Sequence, residues 1–262
     1  GDANISVTSI IDSPRIRLMR DFHRDEMTSD VSDMIWPLFG TAVHHVLESA
    51  STDDGVTIEE RLFHKINKWV LSGAIDHQKD DGKSISITDY KVTSVWSVIH
   101  GKVEWEYQLN CYAYLIDKNK DLPVKSIQVV AILRDWNRRD AERRSDYPQA
   151  PVVTIDVPLW PKEDRERYVS DRVALHQSAQ IAFDLGEELP ECSDEDRWKR
   201  GEAWAVKKKG NKRVFDNEIS AQEFMGDQTN LEIEHRQGEY VRCNGNYCGV
   251  ATFCSQYRGD IE

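Results

Sequence analysis

The chain has 262 residues, 39% of them hydrophobic, and a formal net charge of −12. That length makes one large domain, or a domain with an appendage, with enough apolar residues for a sizeable core. The acidic balance excludes a protein that coats polyanions at large, because like charge opposes long-range association with nucleic acid. No apolar run of membrane-spanning length and no charged-then-apolar leader is visible, so the expectation is a soluble cytoplasmic chain with no membrane partner.

In chain order, Val43, Val46 and Leu47 recur at helical spacing after Gly40-Thr41, which predicts a helix over 40–50 with a buried face and His44 in its first turns. Segments 59–66, 68–76 and 84–92 read as strands, the last two joined through the turn-rich run Lys79-Asp80-Asp81-Gly82-Lys83. Tyr107, Leu109, Tyr112, Ala113 and Leu115 predict a helix over 104–117. Two more strands follow at 124–134 and 151–157, and Pro161 opens a long helix to about Leu185 that Gly186 ends. A helix, three strands, a helix and a strand predict an α/β domain over 1–186. Residues 187–262 are polar and carry Gly201, Gly210, Gly226 and Gly238, so they cannot bury a large core of their own and are read as a C-terminal subdomain.

Chemistry-bearing residues gather on the predicted elements. Asp89 and Lys91 are two apart in a strand, so a carboxylate and an ammonium share one face. Asp76 and Asp89 offer hard oxygen ligands suited to magnesium or manganese, and His44 shifts the preference toward manganese. Gln108 and Tyr112 lie four apart on one helix face. His45 is read as a neighbour, since adjacent helical residues diverge by about 100°. An Asp-x-Lys or an isolated histidine is common by chance; the ordered set is not.

That order, Gly40 to His44, Gly73 to Asp76, Asp89 to Lys91 and Gln108 to Tyr112, resembles the G-x-x-x-H, G-x-x-D, D/E-x-K and Q-x-x-x-Y pattern of the PD-(D/E)XK nuclease superfamily, in its RecB-like exonuclease branch. The resemblance implies a restriction-endonuclease-like core, a central mixed β-sheet flanked by helices, with a cysteine-cluster subdomain after it. It implies a magnesium- or manganese-dependent DNA exonuclease of phage or bacterial recombination and repair, acting on single-stranded DNA or a free end, with recombination or helicase proteins as partners. His44, Asp76, Asp89 and the main-chain carbonyl of Tyr90 would hold the metal. Lys91 would orient or deprotonate water, or steady the transition state, and Gln108 and Tyr112 would position Lys91 or the strand being cut. Tyr112 also reads as ordinary core. The alternative is a catalytically silent binding or scaffold module with the same fold, although a silent site has no use for a lysine beside its second carboxylate. No separate recognition domain is visible, which disfavours a sequence-specific endonuclease.

Five cysteines carry a second signal. Cys111 lies in an apolar helix and reads as a small buried residue. Cys192, Cys243, Cys248 and Cys254 favour metal over disulfide in a cytosolic chain, at spacings looser than a zinc knuckle. One distant cysteine and a C-terminal trio resemble the iron-sulfur staple of RecB-like nucleases, including CRISPR-associated exonucleases and helicase-nuclease subunits, except that the lone cysteine there precedes the nuclease motifs whereas Cys192 follows them. The resemblance implies a structural 4Fe-4S cluster tying the tail back; zinc and free thiols are the alternatives. Two basic runs, Arg134 to Arg139 with Arg143 and Arg144, and Lys207-Lys208-Lys209 with Lys212 and Arg213, read as phosphate contacts or as solvated faces. Trp198 and Trp204 read as a base-stacking platform or as a satellite core.

Overall fold

The computed structural model describes residues 2–28, 30–50, 54–208 and 211–261, without the side chains of Asp33, Glu48, Ala50, Lys208, Asn211, Lys212, Asp260 and Ile261. Its elements are β1 (Ile5–Ser6), α1 (Val7–Ile10), α2 (Pro14–Phe22), α3 (Ile35–Ala50), β2 (Val56–Ile66), β3 (Trp69–Asp80), β4 (Ile85–Thr93), α4 (Val95–His100), α5 (Val103–Asn119), β5 (Val124–Leu133), α6 (Arg138–Arg143), β6 (Val152–Val157) and α7 (Lys162–Asp184). The remainder holds β7 (Lys199–Arg200), β8 (Ala203–Lys208), β9 (Asn211–Phe215), α8 (Glu218–Met225), β10 (Glu232–Arg236), β11 (Glu239–Tyr240), α9 (Val241–Asn244) and α10 (Ser255–Ile261). They form two compact units, Gly1–Asp12 with Thr28–Ile181, and Ser13–Met27 with Ala182–Glu262.

The first unit is a mixed α/β fold around a sheet of order β1-β3-β4-β5-β6, with β2 paired to β3. β4 runs parallel to β5 and β1 parallel to β3, while β2–β3, β3–β4 and β5–β6 are antiparallel. β2 follows β3 over nearly its whole length, but β4 pairs with β3 only from His77 to Asp80. Past that point β4 pairs with β5 alone. The sheet therefore opens between Asp76 and Asp89, and Asp76, Asp89 and Lys91 fall at the opening.

Helix α5 covers β2 through β5, with Leu109, Leu115 and Ile116 fully buried; each such side chain contributes about 1.5–3 kcal/mol relative to exposure. Gly73 of β3 is what lets the helix close in. A Cβ there would stand 2.8 Å from Leu115 Cδ1 and 2.9 Å from both Tyr112 Cε1 and Val7 Cγ2. The glycine of the G-x-x-D string is thus a packing requirement, and Tyr112, 4% exposed, lies in the core as well as near the site.

One sequence expectation is corrected. The helix carrying His44 begins at Ile35 out of a 3-10 turn over Val31–Met34, so Gly40 and Thr41 lie inside it and His44 in its middle. Pro37 permits this because it sits in the first turn, where no intrahelical N–H bond is lost. Nor is its apolar face buried: Leu38 is 69% and Val46 66% exposed.

In the second unit, Ile16 and Met19 of α2 pack with Cys248, Val250, Ala251 and Cys254, which draws Ser13–Met27 into one body with the far end of the chain. Arg15 is buried among them and donates to the carbonyls of Leu189 (2.6 Å) and Pro190 (3.0 Å) and to Ser255 Oγ (3.0 Å). A three-stranded antiparallel sheet of order β10-β8-β9 carries α8, and β7 pairs with β11. Lys209 and Gly210 of the predicted lysine run lie outside the described residues.

Candidate active site

Four elements of the first unit meet at the opening between β3 and β4. Helix α3 brings His44, β2 brings Glu59, β3 brings Asp76, and β4 brings Asp89, Tyr90 and Lys91. One ligand atom from each of His44, Glu59 and Asp76 lies within 4.8 Å of the others. His44 Nδ1 is 3.5 Å from both Glu59 Oε1 and Asp76 Oδ2. Its other ring nitrogen, Nε2, is 2.9 Å from the Tyr90 carbonyl. With Nε2 carrying the hydrogen and donating there, Nδ1 faces the carboxylates as an acceptor, an arrangement common for metal-binding histidines.

The peptide of Tyr90 serves both partners. Its N–H donates to Asp76 Oδ2 at 2.9 Å, on the edge of β4 that β3 has left. One residue on either side, Asp89 and Lys91 project to a common face as their spacing predicted, and Lys91 Nζ is 2.8 Å from Asp89 Oδ2. Gln108 Nε2 approaches Asp89 Oδ1 at 3.4 Å and donates to Tyr112 Oη at 2.8 Å, so the four-residue spacing on α5 ties the buried carboxylate to the core.

Burial and the nearby Asp89 push the Asp76 carboxyl up to about 6, against the Tyr90 N–H that favours its ionised form. Burial likewise pushes Asp89 up, opposed by the Lys91 ammonium. Burial is the main cause in both, and two buried carboxyls side by side in one opening are a candidate functional feature. A hard divalent cation would favour their ionised forms, and the imidazole and carboxylate oxygens here are donors such ions accept.

Glu59 is the residue that sequence reasoning missed. The β2–β3 register passes from Ile58↔His77 to Glu60↔Ile75, and Glu59 between them adopts φ 49°. Left-handed backbone in a non-glycine residue costs energy and concentrates at functional sites. The sequence reading begins the strand at Glu59, and a run of polar residues from Glu59 to Arg61 carries no signal of backbone handedness, so nothing in the pattern reveals the kink.

An open cleft of about 720 Å³ lies over these groups, bounded by Trp36, Gly40, His44, Glu59, Lys91 and Arg134 among others. His45 borders it as an exposed neighbour. Of the remaining basic residues, Arg144 is paired with Asp146 at 2.8 Å and Lys207 with Glu234 at 2.5 Å. Arg213 lies over the Phe224 ring. Trp204 stacks on His235, and Trp198 lies beside Tyr247 and under Arg242.

In the second unit Cys192, Cys243, Cys248 and Cys254 all line one small cavity. Burial pushes the Cys192 thiol up to about 11, and pushes Cys248 upward too. Ser13 Oγ is 3.2 Å from Cys192 Sγ, and Arg15 Nη1 is 3.9 Å from Cys254 Sγ. Cys111 stands apart in the first unit's core, its thiol pushed to about 12 by burial.

No family model matches the sequence, and no curated protein matches it. Solved structures similar to the chain include the crystal structure of SSO0001, at 16% identity and a TM-score of 0.46, covering 67% of this chain and 78% of that one. LHK-Exo in complex with dAMP is similar at 12% identity and a TM-score of 0.40, covering 70% of this chain and 93% of that one. These likenesses are too distant to carry an activity, and the functional reading stands on the residues of the cleft. Among the described residues no helix is long and apolar enough to cross a membrane.

Proposed function

We propose that the cleft is the active site of a divalent-metal-dependent deoxyribonuclease, an exonuclease of the PD-(D/E)XK type that trims DNA ends in phage or bacterial recombination or repair. The observation that carries the reading is the convergence of His44, Glu59, Asp76 and Lys91 in one cleft, with Lys91 paired to the buried Asp89.

His44 Nδ1, Glu59 and Asp76 would hold the ion, with Asp89 and the Tyr90 carbonyl next to them. A bound magnesium or manganese polarises a phosphate, lowers the pKa of water and neutralises charge in an in-line displacement. The chain's own groups do the positioning. The Tyr90 carbonyl fixes the histidine ring, and the Tyr90 N–H fixes Asp76. Lys91, a donor with no acceptor capacity, is held by Asp89 where it can grip a phosphate oxygen or an attacking water. Gln108 and Tyr112 keep Asp89 from swinging away from that lysine.

The four cysteines would hold a 4Fe-4S cluster that organises the second unit, with zinc as the other candidate. Their shared cavity supports this reading, and so does the unit's small core, of which Cys248 and Cys254 are members.

The test is end-labelled single- and double-stranded DNA incubated with magnesium or manganese, with and without a chelator. Shortening of the labelled strand that the chelator stops supports the reading. Intact DNA under every metal condition, with protein that nonetheless binds it, would instead favour the silent scaffold.

A further inference from the structure

Helix α3 sets Trp36, Gly40 and His44 at successive four-residue intervals, so all three lie along one face, and all three line the cleft. From Trp36 to His44 the helix rises about 12 Å. The middle residue has no packing reason to be glycine, because a Cβ built on Gly40 meets nothing within 4 Å. A glycine inside a helix is unfavourable relative to alanine, and what this one provides is an open floor between the aromatic ring and the metal-binding histidine.

Trp36 is 47% exposed although it is the largest apolar side chain of its helix. Arg134 holds it: the guanidinium lies 4.6 Å from the centre of the Trp36 ring. The arginine is anchored in turn, since its main-chain N–H donates to the Thr93 carbonyl at 3.0 Å, at the end of the strand that carries Asp89 and Lys91. The cleft's volume lies in the range of small-ligand sites, about 300–1,000 Å³.

A half-exposed indole oriented by an arginine, in the cleft that holds a phosphate-directed lysine, suits a nucleotide. Indole faces stack on any base, and a guanidinium binds phosphate oxygens in a fork. We infer that Trp36 and Arg134 form a subsite for one unpaired nucleotide of a DNA strand, its base stacked on the indole and its phosphate held by the arginine, while the adjoining phosphodiester lies over Gly40 toward His44 and Lys91. This rests on the nuclease reading of the cleft. Because a base of a blunt duplex must first unpair and leave its neighbour, at a cost in free energy, before it can lie alone on the indole, the subsite selects single-stranded or frayed ends over blunt duplex, without preference for base identity.

The experiment uses the full chain in a Lys91→Ala background, which keeps the substrate intact, with a single-stranded oligonucleotide carrying 2-aminopurine near its end and a blunt duplex of the same sequence. Binding is read by anisotropy and stacking by quenching of 2-aminopurine. The expected result is quenching on binding, a loss of about tenfold or more in single-strand affinity for Trp36→Ala, retention of most of it in Trp36→Phe, and a much smaller effect on the duplex. Manganese titration of Trp36→Ala checks that α3 and His44 are in place. Equal affinity and equal quenching with and without the indole, in a variant that binds manganese normally, would overturn the inference and leave the nuclease reading standing. Absence of any DNA binding by the parent protein would overturn both.

Discussion

The two units set their candidate ligands in opposite surroundings. In the first, the groups of the cleft sit on strands and a helix, with one left-handed kink at Glu59, and they meet where β3 and β4 part after sharing four residue pairs. In the second, the cysteines lie on loops and short helical turns around a core of six buried residues, two of them the cysteines themselves. A site carried by an independent core loses function when its ligands are removed. A site that is a large part of its own core loses structure.

That contrast is sharpest for Asp76→Ala. The substitution removes the carboxylate that faces His44, Glu59 and the Tyr90 peptide, so manganese binding and cleavage should disappear together while the thermal transition of metal-free protein is kept or rises, because a buried acid has gone. Calorimetric titration and a melting curve on one preparation check both halves. A variant that binds manganese normally would place the metal elsewhere.

Cys248→Ser should do the reverse. Protein with an iron-sulfur cluster is brown, and a zinc protein is colourless but zinc-bearing by elemental analysis. In either case the serine variant should lose its metal and expose residues 182–262 to protease, because ligation to a folded site is folding free energy. Metal-dependent cleavage at low temperature should survive. Wild-type protein without metal and a protease-resistant variant would together show the thiols to be incidental.

Glu59→Gln keeps the shape of the side chain and removes its charge. A drop of about 10–100-fold in manganese affinity is expected, the range for a metal-site partner, with a smaller change in turnover at saturating metal. Unchanged affinity would reduce the kink at φ 49° to a feature of the strand.

The acids also set a pH signature. The Asp76 carboxyl is held near 6 in the folded chain, above its ordinary value of about 3.9. The folded state thus binds this proton more tightly than the unfolded chain does. Its contribution to the stability of metal-free protein is complete below about pH 4 and is lost as the pH rises through 6. Saturating manganese should reverse that trend by favouring the carboxylate, so melting curves from pH 4 to 7.5 with and without the ion should diverge. Curves that stay parallel would contradict the assignment of Asp76 to the metal. The smallest effect should come from Lys207→Glu, whose ammonium is already paired with Glu234; DNA affinity should hold within about twofold, well short of what loss of a phosphate contact brings at low salt.

How much of this was legible in the sequence follows from the same contrast. The strands of the sheet, helix α5 and the shared face of Asp89 and Lys91 follow from local periodicity, which one sequence contains. The role of Gly73 was visible as a motif position but not as a contact, because Leu115, Tyr112 and Val7 come from elsewhere in the chain. The first turn of helix α3 is not legible, since the exposed Ile35, Leu38 and Phe39 obey no buried-face pattern. Glu59 is not legible because a single left-handed residue leaves no mark in side-chain pattern, and Glu59-Glu60-Arg61 is polar throughout. In the second unit the grouping of the four cysteines was legible, but α2's place in that unit was not: Ile16 and Met19 join Cys248 and Val250 across more than half the chain.

Lys91 is the residue on which cleavage by this cleft depends most directly in the proposed reading. Single-turnover cleavage of end-labelled single-stranded DNA should be compared for wild-type protein and Lys91→Ala at saturating manganese, with the metal affinity of each measured alongside. The expected result is matched affinity and a rate lower by about two orders of magnitude or more in the variant, with chelator abolishing the wild-type reaction. Equal rates in the two proteins, or cleavage indifferent to chelator, would contradict the proposal that this cleft cuts DNA.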